Sequence, residues 1–281
     1  MKPPIRHILL DIEGTTCPVS FVSEVLFPYA AREVSHYLTQ HALEGDIQTL
    51  LGELQRSWSQ EEDPEALALL QNSASDEKGD QRQSEGGPRL DPAEQVATLL
   101  PYIQWLIQRD RKVTAWKDLQ GRIWREGYAC GALKAALFPE VAQTLRHWKG
   151  MGVELSVYSS GSVAAQQLLY GHSEDGDLRS LFSHWFDTRI GAKQEARSYE
   201  AILEILGCVA AEVLFISDSS SELSAACSAG LQAIFSDREG NPQRDSDGFA
   251  RIQSLDQVSI ELASHQAPQG QQAPAQPMPP Q

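Results

Sequence analysis

The sequence contains no run of apolar residues that approaches the roughly 20 needed to cross a bilayer. Its first residues also lack the charged start, long apolar stretch and small-residue cleavage site of a signal peptide. We therefore expect a cytoplasmic protein that does not bind membranes. The 281 residues suffice for one large domain or two modest ones with a substantial core.

Cysteine is scarce, and acidic residues outnumber basic ones. The four cysteines lie far apart and form no Cys-x-x-Cys pair, so neither a zinc site nor a disulfide framework is indicated. The formal net charge is -15 and no basic block is present, so we expect no nucleic-acid partner. An anionic substrate would therefore need a local cation in its binding site.

The first informative segment follows the apolar residues Ile8 to Leu10. It reads Asp11-Ile12-Glu13-Gly14-Thr15-Thr16. In a strand, Asp11 and Glu13 would face the same side, and two carboxylates so close raise each other's pKa unless a cation or a proton separates them. The segment therefore indicates a metal and acid/base chemistry at a strand end. A solvated strand-to-loop turn is the alternative that this segment alone leaves open.

Hydrophobic periodicity divides the chain into two parts. Residues 5–12 form a predicted strand, whereas residues 24–136 show little strand character and several helical repeats. The predicted helices there are Glu24 to His41, Gly45 to Trp58, Pro92 to Arg109 and Ala115 to Gly127. Residues 72–90 are rich in Ser, Asp, Glu, Gln and Gly, which predicts a flexible loop.

From about residue 138 onward, predicted strands alternate with predicted helices. The strands are Val153 to Ser159, Val213 to Ser217 and Leu231 to Phe235, and the helices are Val141 to Met151, Val163 to Tyr170, Ser198 to Leu206 and Ser221 to Ala229. Such alternation predicts an α/β fold, a parallel sheet with helices on its faces. Residues 263–281 are mostly Gln, Pro and Ala, which is typical of a disordered tail.

Polar residues follow two further predicted strands, at the edge where open parallel sheets bind their ligands. Ser159, Ser160 and Ser162 precede a helix and, with its free backbone N–H groups, could hold an anion. One of these serines could instead serve only as a helix cap. Asp218 follows the strand from Val213 to Ser217. It could be a second carboxylate ligand of a hard cation such as Mg2+, or only a residue near an N-cap.

A lysine completes the set of candidate residues. Lys193 lies in a predicted loop before the helix from Ser198 to Leu206, and a single surface lysine carries little information by itself. In chain order, Lys193 follows the candidate nucleophile Asp11 and the hydroxyl-rich anion site. It precedes the second acid, Asp218. Together these residues indicate phosphoryl-transfer chemistry.

These motifs resemble the four motifs of the haloacid dehalogenase superfamily of phosphohydrolases. They are Asp-x-(Asp/Glu)-Gly-Thr after the first strand, Ser-Ser-Gly after the next, a loop lysine and an acidic strand end. Within the superfamily, the chain is most similar to the methionine-salvage enolase-phosphatases, over nearly all of its length except residues 72–90 and the tail. The residues that carry this likeness are Asp11 to Thr16, Trp124, Gly127, Tyr128, Tyr158 to Val163, Ala165, Gln166, Leu168 to Ser173, Gly176 to Leu178, Phe186 to Thr188, Lys193 to Glu195, Ser198, Tyr199, Ser217, Asp218, Glu222 and Leu223.

The resemblance implies an open parallel-sheet, Rossmann-like core with an inserted all-helical cap domain. Residues 1–18 and 137–262 would form the catalytic core, and residues 19–136 the cap that closes over the site. The resemblance also implies one Mg2+ per chain, and we expect a monomer. Several aromatic residues of this cap recur at helical spacings that are more typical of a core than of a substrate pocket: Trp105, Trp116, Trp124 and Tyr128.

The resemblance also implies roles for the site residues. Asp11 and Asp218 would bind Mg2+ through their carboxylates, and Glu13 would bind it through its backbone carbonyl. Asp11 would attack phosphorus and form an aspartyl-phosphate, which water then hydrolyses. Three further side chains would hold the substrate: Ser159 and Ser160 through its oxygens, and Lys193 through its phosphate.

Glu13 stands where phosphatases of the superfamily usually carry an aspartate that protonates the leaving group and later activates water. The resemblance connects its longer side chain with a second task, the enolisation of a diketone. The implied reaction converts 2,3-diketo-5-methylthiopentyl-1-phosphate, a small phosphorylated diketone, to an acireductone and phosphate, with Glu13 as a candidate base.

Three other functions remain open from the sequence. A generic Mg2+-dependent sugar-phosphate phosphatase of the same superfamily would use the same four motifs. A haloacid dehalogenase is disfavoured because Glu13 supplies a carboxylate and a metal position that such enzymes do not use. A catalytically inactive binding protein is disfavoured because the set of site residues is complete.

Overall fold

The computed structural model describes residues 3–76 and 91–260. Its strands are β1 (His7–Leu10), β2 (Glu154–Tyr158), β3 (Phe182–Phe186), β4 (Val213–Ser217), β5 (Gln232–Ser236) and β6 (Arg251–Ile252). These six form one parallel sheet in the order β3-β2-β1-β4-β5-β6. The predicted α/β fold with an open parallel sheet is therefore confirmed.

The helices of the described residues fall into two groups. The first group, which we call the cap helices, follows a π-helical segment (Phe21–Leu26) and comprises α1 (Phe27–His41), α2 (Gly45–Ser59), α3 (Pro64–Asp76), α4 (Pro92–Gln108) and α5 (Thr114–Ala129). The second group alternates with the later strands and comprises α6 (Val141–Gly150), α7 (Val163–Gly171), α8 (Ala196–Leu206) and α9 (Ser220–Ser228). None of these helices combines the length and the apolar character that a membrane span requires.

The central strands are buried on both faces of the sheet, because helices cover both sides. All residues of β1 and β4 are buried. Ile8 belongs to the core on one face together with Trp148, whereas Leu9 belongs to the core on the other face together with Phe215. Burial on both faces explains why β1 is apolar throughout its centre, and why the polar residues begin only where the strand ends.

The composition-based prediction of a loop over residues 72–90 is wrong for its first part. Residues 72–76 form the end of α3, which has no counterpart among the predicted helices. This helix begins at Pro64, and the preceding Asp63 accepts a hydrogen bond from the Glu65 backbone N–H at 2.9 Å. The alanines and leucines that follow are strong helix formers. The remainder of that segment and the predicted tail, residues 263–281, lie outside the described residues.

Strand β3 also has no counterpart in the sequence prediction. It lies at the edge of the sheet and pairs only with β2. Its centre is polar, with Ser183 exposed and His184 half-buried, so the strand lacks the continuous apolar run that marks β1 and β4. The formation of such an edge strand depends on pairing with its neighbour rather than on the hydrophobic pattern of its own sequence.

The cap helices have a hydrophobic core of their own. Tyr102 stacks against Trp58 with ring centroids 5.0 Å apart and against Trp105 at 5.8 Å, and all three side chains are buried. Tyr29 and Trp124 pack both against this core and against the core on one face of the sheet. These two aromatic side chains therefore join the cap helices to the sheet.

Candidate active site

The strand order brings three of the predicted motifs together at one edge of the sheet, the edge formed by the carboxyl ends of the strands. Strand β1 lies between β2 and β4, so the residues that follow these strands are neighbours. The Asp11 backbone N–H donates to the Ile216 carbonyl of β4 at 3.0 Å, and the Ser159 N–H donates to the Phe186 carbonyl at the end of β3 at 3.2 Å. The Asp11 and Ser159 motifs are thus each anchored to an adjacent strand.

Asp11 is buried, and both of its carboxylate oxygens have partners. Oδ1 accepts a hydrogen bond from the Ile12 backbone N–H at 2.8 Å. Oδ2 lies 3.0 Å from the Ser217 hydroxyl, which donates to it, and 2.7 Å from Lys193 Nζ. The carboxylate is therefore held in one orientation at the end of β1.

Lys193 reaches Asp11 from the loop before α8. The Tyr199 hydroxyl of α8 donates to the Lys193 carbonyl at 2.7 Å and fixes this loop. Lys193 Nζ lies 2.7 Å from Asp11 Oδ2 and 2.6 Å from Glu222 Oε2, and the side chain is only 8% exposed. Burial alone lowers the Lys193 pKa, but the two carboxylates outweigh burial and raise it above its ordinary value. Lys193 is therefore a buried cation held by two acids.

The structure adds two residues to which the sequence alone assigns no role. Glu222, in the first turn of α9, is the second carboxylate partner of Lys193. The Ser217 hydroxyl lies 3.0 Å from both Asp11 Oδ2 and Glu222 Oε2, and its single proton serves one of them at a time. An acid in the first turn of a helix is common for reasons of helix stability, so the position of Glu222 in the sequence does not by itself indicate a role in the site.

Acidic side chains outnumber basic ones at the carboxyl ends of these strands, which makes the site suitable for a cation. Burial raises the pKa of Asp218 to about 7, and the neighbouring Asp11 adds to the increase. Burial and Asp11 also raise the Glu13 pKa. Carboxylates in such surroundings take up protons or a metal ion, and their oxygens suit a hard cation such as Mg2+. The residues present therefore fit the implied metal.

The implied ligand set needs only two side chains, since Glu13 would contribute its backbone carbonyl. Within residues 3–76 and 91–260, no three acidic, histidine or cysteine side chains are grouped as a metal-binding cluster. One further oxygen lies nearby. Asn241 donates through Nδ2 to the carbonyls of Gly14 and Ser236, at 2.9 and 3.0 Å, whereas its buried Oδ1 has no hydrogen-bond partner.

Gly14 allows Asp218 to approach the turn after β1. Its backbone has a φ of +68°, and a Cβ atom at this position would lie 2.1 Å from Asp218 Oδ2 and 2.8 Å from Asn241 Oδ1. Any side chain here would displace both oxygens. Glycine is thus required both for the left-handed backbone and for the position of Asp218.

We expect Gly14→Ala to impair the site more than the fold. Alanine at a left-handed position costs about 1–2 kcal/mol of stability, and its methyl group must also push Asp218 away. Gly131→Ala is a matched control, because Gly131 has a φ of +78° and open space around its Cβ position. Urea unfolding should show similar destabilisation of the two variants, whereas phosphate release should fall strongly only in Gly14→Ala. Equal activity of the two variants would contradict this assignment.

The serine loop after β2 contains one helix cap and two candidate substrate-binding residues. Ser162 caps α7, since its hydroxyl accepts a hydrogen bond from the Ala165 N–H at 3.3 Å. Ser159 is buried, and its hydroxyl accepts from the Gly161 N–H at 3.3 Å, whereas Ser160 is exposed. Gln166 Nε2 donates to the Gly161 and Phe186 carbonyls, both at 2.8 Å, and so ties the loop to β3.

A cavity of about 300 Å³ lies between this edge of the sheet and the cap helices. Glu13, Ser159 and Ser160 line it from the sheet. From the other side it is lined mainly by apolar residues, among them Val22, Leu26, Phe27, Ile107, Trp116 and Trp124. The cavity therefore combines a polar wall with one that is mainly apolar but also carries charged residues, Asp110, Arg111, Lys112 and Lys117.

The four aromatic residues expected to be core side chains divide into two pairs. Trp105 and Tyr128 are buried away from the cavity, as their helical spacing predicts. Trp116 is buried as well but also lines the cavity, and the half-buried Trp124 lines it while its Nε1 donates to the Leu26 carbonyl at 2.8 Å. Helical spacing alone does not distinguish these two roles.

Comparison with known proteins gives a consistent set of relatives. The model of the haloacid dehalogenase-like hydrolase family matches residues 5–230. The chain is 47% identical to Enolase-phosphatase E1 of Synechococcus sp. (strain RCC307) over 239 residues, which cover 85% of this chain and 88% of the relative. It is 43% identical to Enolase-phosphatase E1 of Parasynechococcus marenigrum (strain WH8102) over 254 residues, or 90% and 98% of the two chains. The crystal structure of the UTR4 protein from Saccharomyces cerevisiae superposes with a TM-score of 0.69 at 30% identity, covering 90% of this chain and 100% of that one.

Proposed function

The chain belongs to the haloacid dehalogenase-like hydrolases and, among them, to the Enolase-phosphatase E1 family, and we propose that its strand-end site converts 2,3-diketo-5-methylthiopentyl-1-phosphate to an acireductone and phosphate. It is an enzyme of methionine salvage with enolase and phosphatase activity. The observation that carries the proposal is the position of Glu13, which lines the cavity between the sheet and the cap helices two residues after the buried Asp11. The proposed base therefore lies in the cavity wall, two residues from the proposed nucleophile.

In the phosphatase step, Asp11 acts as the nucleophile. A carboxylate oxygen attacks phosphorus, the bond from phosphorus to the substrate oxygen breaks, and that oxygen takes a proton from Glu13. Water then hydrolyses the aspartyl-phosphate, which regenerates Asp11 and releases phosphate. Lys193, already 2.7 Å from Asp11 Oδ2, offsets the negative charge of the phosphoryl oxygens.

One Mg2+ ion would be held by the carboxylates of Asp11 and Asp218 and the backbone carbonyl of Glu13. When bound, it supplies positive charge that offsets the charge of the phosphoryl oxygens. The uncompensated carboxylates and the space that Gly14 leaves for Asp218 support this assignment.

In the enolase step, Glu13 acts as the base. It takes a proton from the carbon that carries the phosphate ester, next to a carbonyl group. Ser159 and Ser160 line the same cavity and hold substrate oxygens through their hydroxyl groups. The apolar wall formed by Phe27, Trp116 and Trp124 suits the methylthio end of the substrate.

The domain division of the sequence analysis remains part of this proposal. Residues 19–136 form a cap over the core built from residues 1–18 and 137–262. The separate hydrophobic core of the cap helices supports this division, and closure of the cap would exclude water from the reactive enol. We also propose that the protein acts in the cytoplasm as a monomer.

Substitution of Glu13 tests the proposal. We expect Glu13→Gln to lower enol formation roughly 10²- to 10⁴-fold, because the amide cannot accept the proton. Glu13→Asp keeps the carboxyl group but shortens its reach, and it should lower enol formation more than phosphate release. Absorbance of the enol and release of phosphate, recorded together, measure the two steps. Normal enol formation by Glu13→Gln would refute Glu13 as the base, and equal turnover of sugar phosphates by the wild type would favour a generic phosphatase.

A further inference from the structure

The loop after β5 is fixed against the turn that follows β1. Arg238 Nη2 donates to the Thr15 carbonyl at 3.0 Å, and Asn241 Nδ2 donates to the Gly14 carbonyl at 2.9 Å. The Asn241 backbone N–H donates to the Arg238 carbonyl at 3.2 Å, which closes the loop, and both side chains are buried. Two successive carbonyls next to the proposed metal site are therefore held by side chains of one loop.

The hydrogen bonds of Asn241 determine which way its amide group points. Nδ2 donates to the Gly14 carbonyl and also, at 3.0 Å, to the Ser236 carbonyl. Exchange of the amide nitrogen and oxygen would place Oδ1 against two carbonyl oxygens, neither of which can donate a hydrogen bond. The position of Oδ1 is therefore fixed by the two contacts that Nδ2 makes.

Asn241 Oδ1 has no donor although it is buried. The residue is only 6% exposed, and this oxygen finds no hydrogen-bond partner in the part of the chain that the structure describes. Buried polar atoms are nearly always paired, because an unpaired one has lost its bond to water without replacement. Asn241 Oδ1 is thus suited to a bound group that supplies a hydrogen-bond donor.

This oxygen lies beside the Asp218 carboxylate. A Cβ atom on Gly14 would lie 2.8 Å from Asn241 Oδ1 and 2.1 Å from Asp218 Oδ2, so the two oxygens are neighbours over one side of Gly14. An ionised Asp218 cannot donate to Asn241 Oδ1, since both groups only accept. The missing donor therefore lies next to one of the two side chains to which Mg2+ is assigned.

We propose that Asn241 is a positioning residue of the metal site, whose Oδ1 accepts a hydrogen bond from a water molecule in the hydration shell of Mg2+. This inference rests on the proposed function, which places Mg2+ at Asp11 and Asp218. Mg2+ in proteins usually keeps several of its waters, and groups that bind the outer side of the ligand shell orient the ion. The two contacts of Nδ2 give Asn241 the fixed orientation that this role needs.

Binding of Mn2+ to the metal-free protein, without substrate, tests this role separately from catalysis. Mn2+ takes the same oxygen ligands as Mg2+, and EPR spectroscopy measures the free ion during a titration. We expect Asn241→Ala to weaken Mn2+ binding roughly 10- to 100-fold. Ser236→Ala is the matched control, because the buried Ser236 hydroxyl also donates to the Gly14 carbonyl, at 2.8 Å. This control loses a contact with the same turn but keeps Asn241 Oδ1, so it should bind Mn2+ like the wild type.

Asn241→Asp separates the role of the oxygen from that of the amide nitrogen. The carboxylate keeps an oxygen beside Asp218, but it cannot donate to the carbonyls of Gly14 and Ser236. We therefore expect this variant to unfold at a lower urea concentration than the wild type, yet to bind Mn2+ more tightly than Asn241→Ala does.

Three results would overturn the proposal. They are wild-type Mn2+ affinity in Asn241→Ala, an equal loss of affinity in Ser236→Ala, and weaker binding by Asn241→Asp than by Asn241→Ala. The last two would assign Asn241 only to holding the turn. If the wild type itself binds no Mn2+, the proposed metal site fails first, and this inference fails with it. Turnover of the diketone phosphate by the wild type tests the proposed function independently.

Discussion

Replacement of Asp11 by asparagine is expected to reduce phosphate release by roughly 10⁴-fold or more, as found when a covalent nucleophile is removed. The amide keeps the shape of the side chain, but it cannot attack phosphorus. The buried carboxylate also loses its charge, so the ion pair with Lys193 at 2.7 Å becomes a hydrogen bond between a charged ammonium and a neutral amide. The measurement is the initial rate of phosphate release at saturating substrate.

A second aspartate serves as the control for this variant. Asp237 is also buried and follows a strand, β5, but its carboxylate pairs with Arg244 and Arg251, at 2.5 and 3.7 Å, outside the site. Asp237→Asn should therefore lower stability while phosphate release stays close to that of the wild type. Mass spectrometry of acid-quenched wild type should find phosphate on Asp11. Full turnover by Asp11→Asn would contradict the role of Asp11 as nucleophile.

Replacement of Lys193 by methionine should lower both activity and stability. The variant loses the charge that offsets the phosphoryl oxygens, which we expect to cost roughly 10²- to 10³-fold in phosphate release. It also leaves Asp11 and Glu222 buried without their common cation. Breaking a buried ion pair in this way should lower the free energy of unfolding by about 3 kcal/mol.

The pH dependence of this loss has a defined sign. Burial and Asp11 already raise the Glu222 pKa, and Lys193 opposes this increase, so loss of Lys193 raises the Glu222 pKa further above its unfolded value. The destabilisation is therefore complete above the raised Glu222 pKa and shrinks as a proton binds at lower pH. Urea unfolding without metal should show a larger deficit at about pH 8 than at about pH 5.

A double variant separates the two effects of Lys193. Lys193→Met with Glu222→Gln removes one of the unpaired charges, so stability should recover in part while activity stays low. If the double variant regained activity, or if Lys193→Met were as stable as the wild type near pH 8, the buried ion-pair arrangement described here would be wrong.

The parts of the fold that the sequence predicted are those with strong local patterns. Strand β4 matches its predicted range, Val213 to Ser217, because it is apolar and fully buried. The strand-end residues Asp11, Ser159 and Asp218 could be placed together because parallel strands bring their carboxyl ends to one edge. Local pattern and sheet topology were sufficient for the outline of the site.

The parts that the sequence did not predict depend on tertiary contacts. Edge strand β3 is defined by its pairing with β2 rather than by an apolar run. The burial of Lys193 between Asp11 and Glu222 joins residues far apart in the chain, and no spacing rule connects them. Trp124 shares its helical spacing with the core residue Trp105, yet only Trp124 lines the cavity.

The central claim is that one chain enolises a diketone phosphate and then removes its phosphate at the Asp11–Glu13 site. The most direct measurement supplies the purified chain with 2,3-diketo-5-methylthiopentyl-1-phosphate and Mg2+, and records enol absorbance and phosphate release in the same sample. We expect both products, with phosphate equal in amount to the acireductone formed and no phosphate release after a chelator removes the metal. Phosphate release without any enol, or enol formation without phosphate, would contradict the claim.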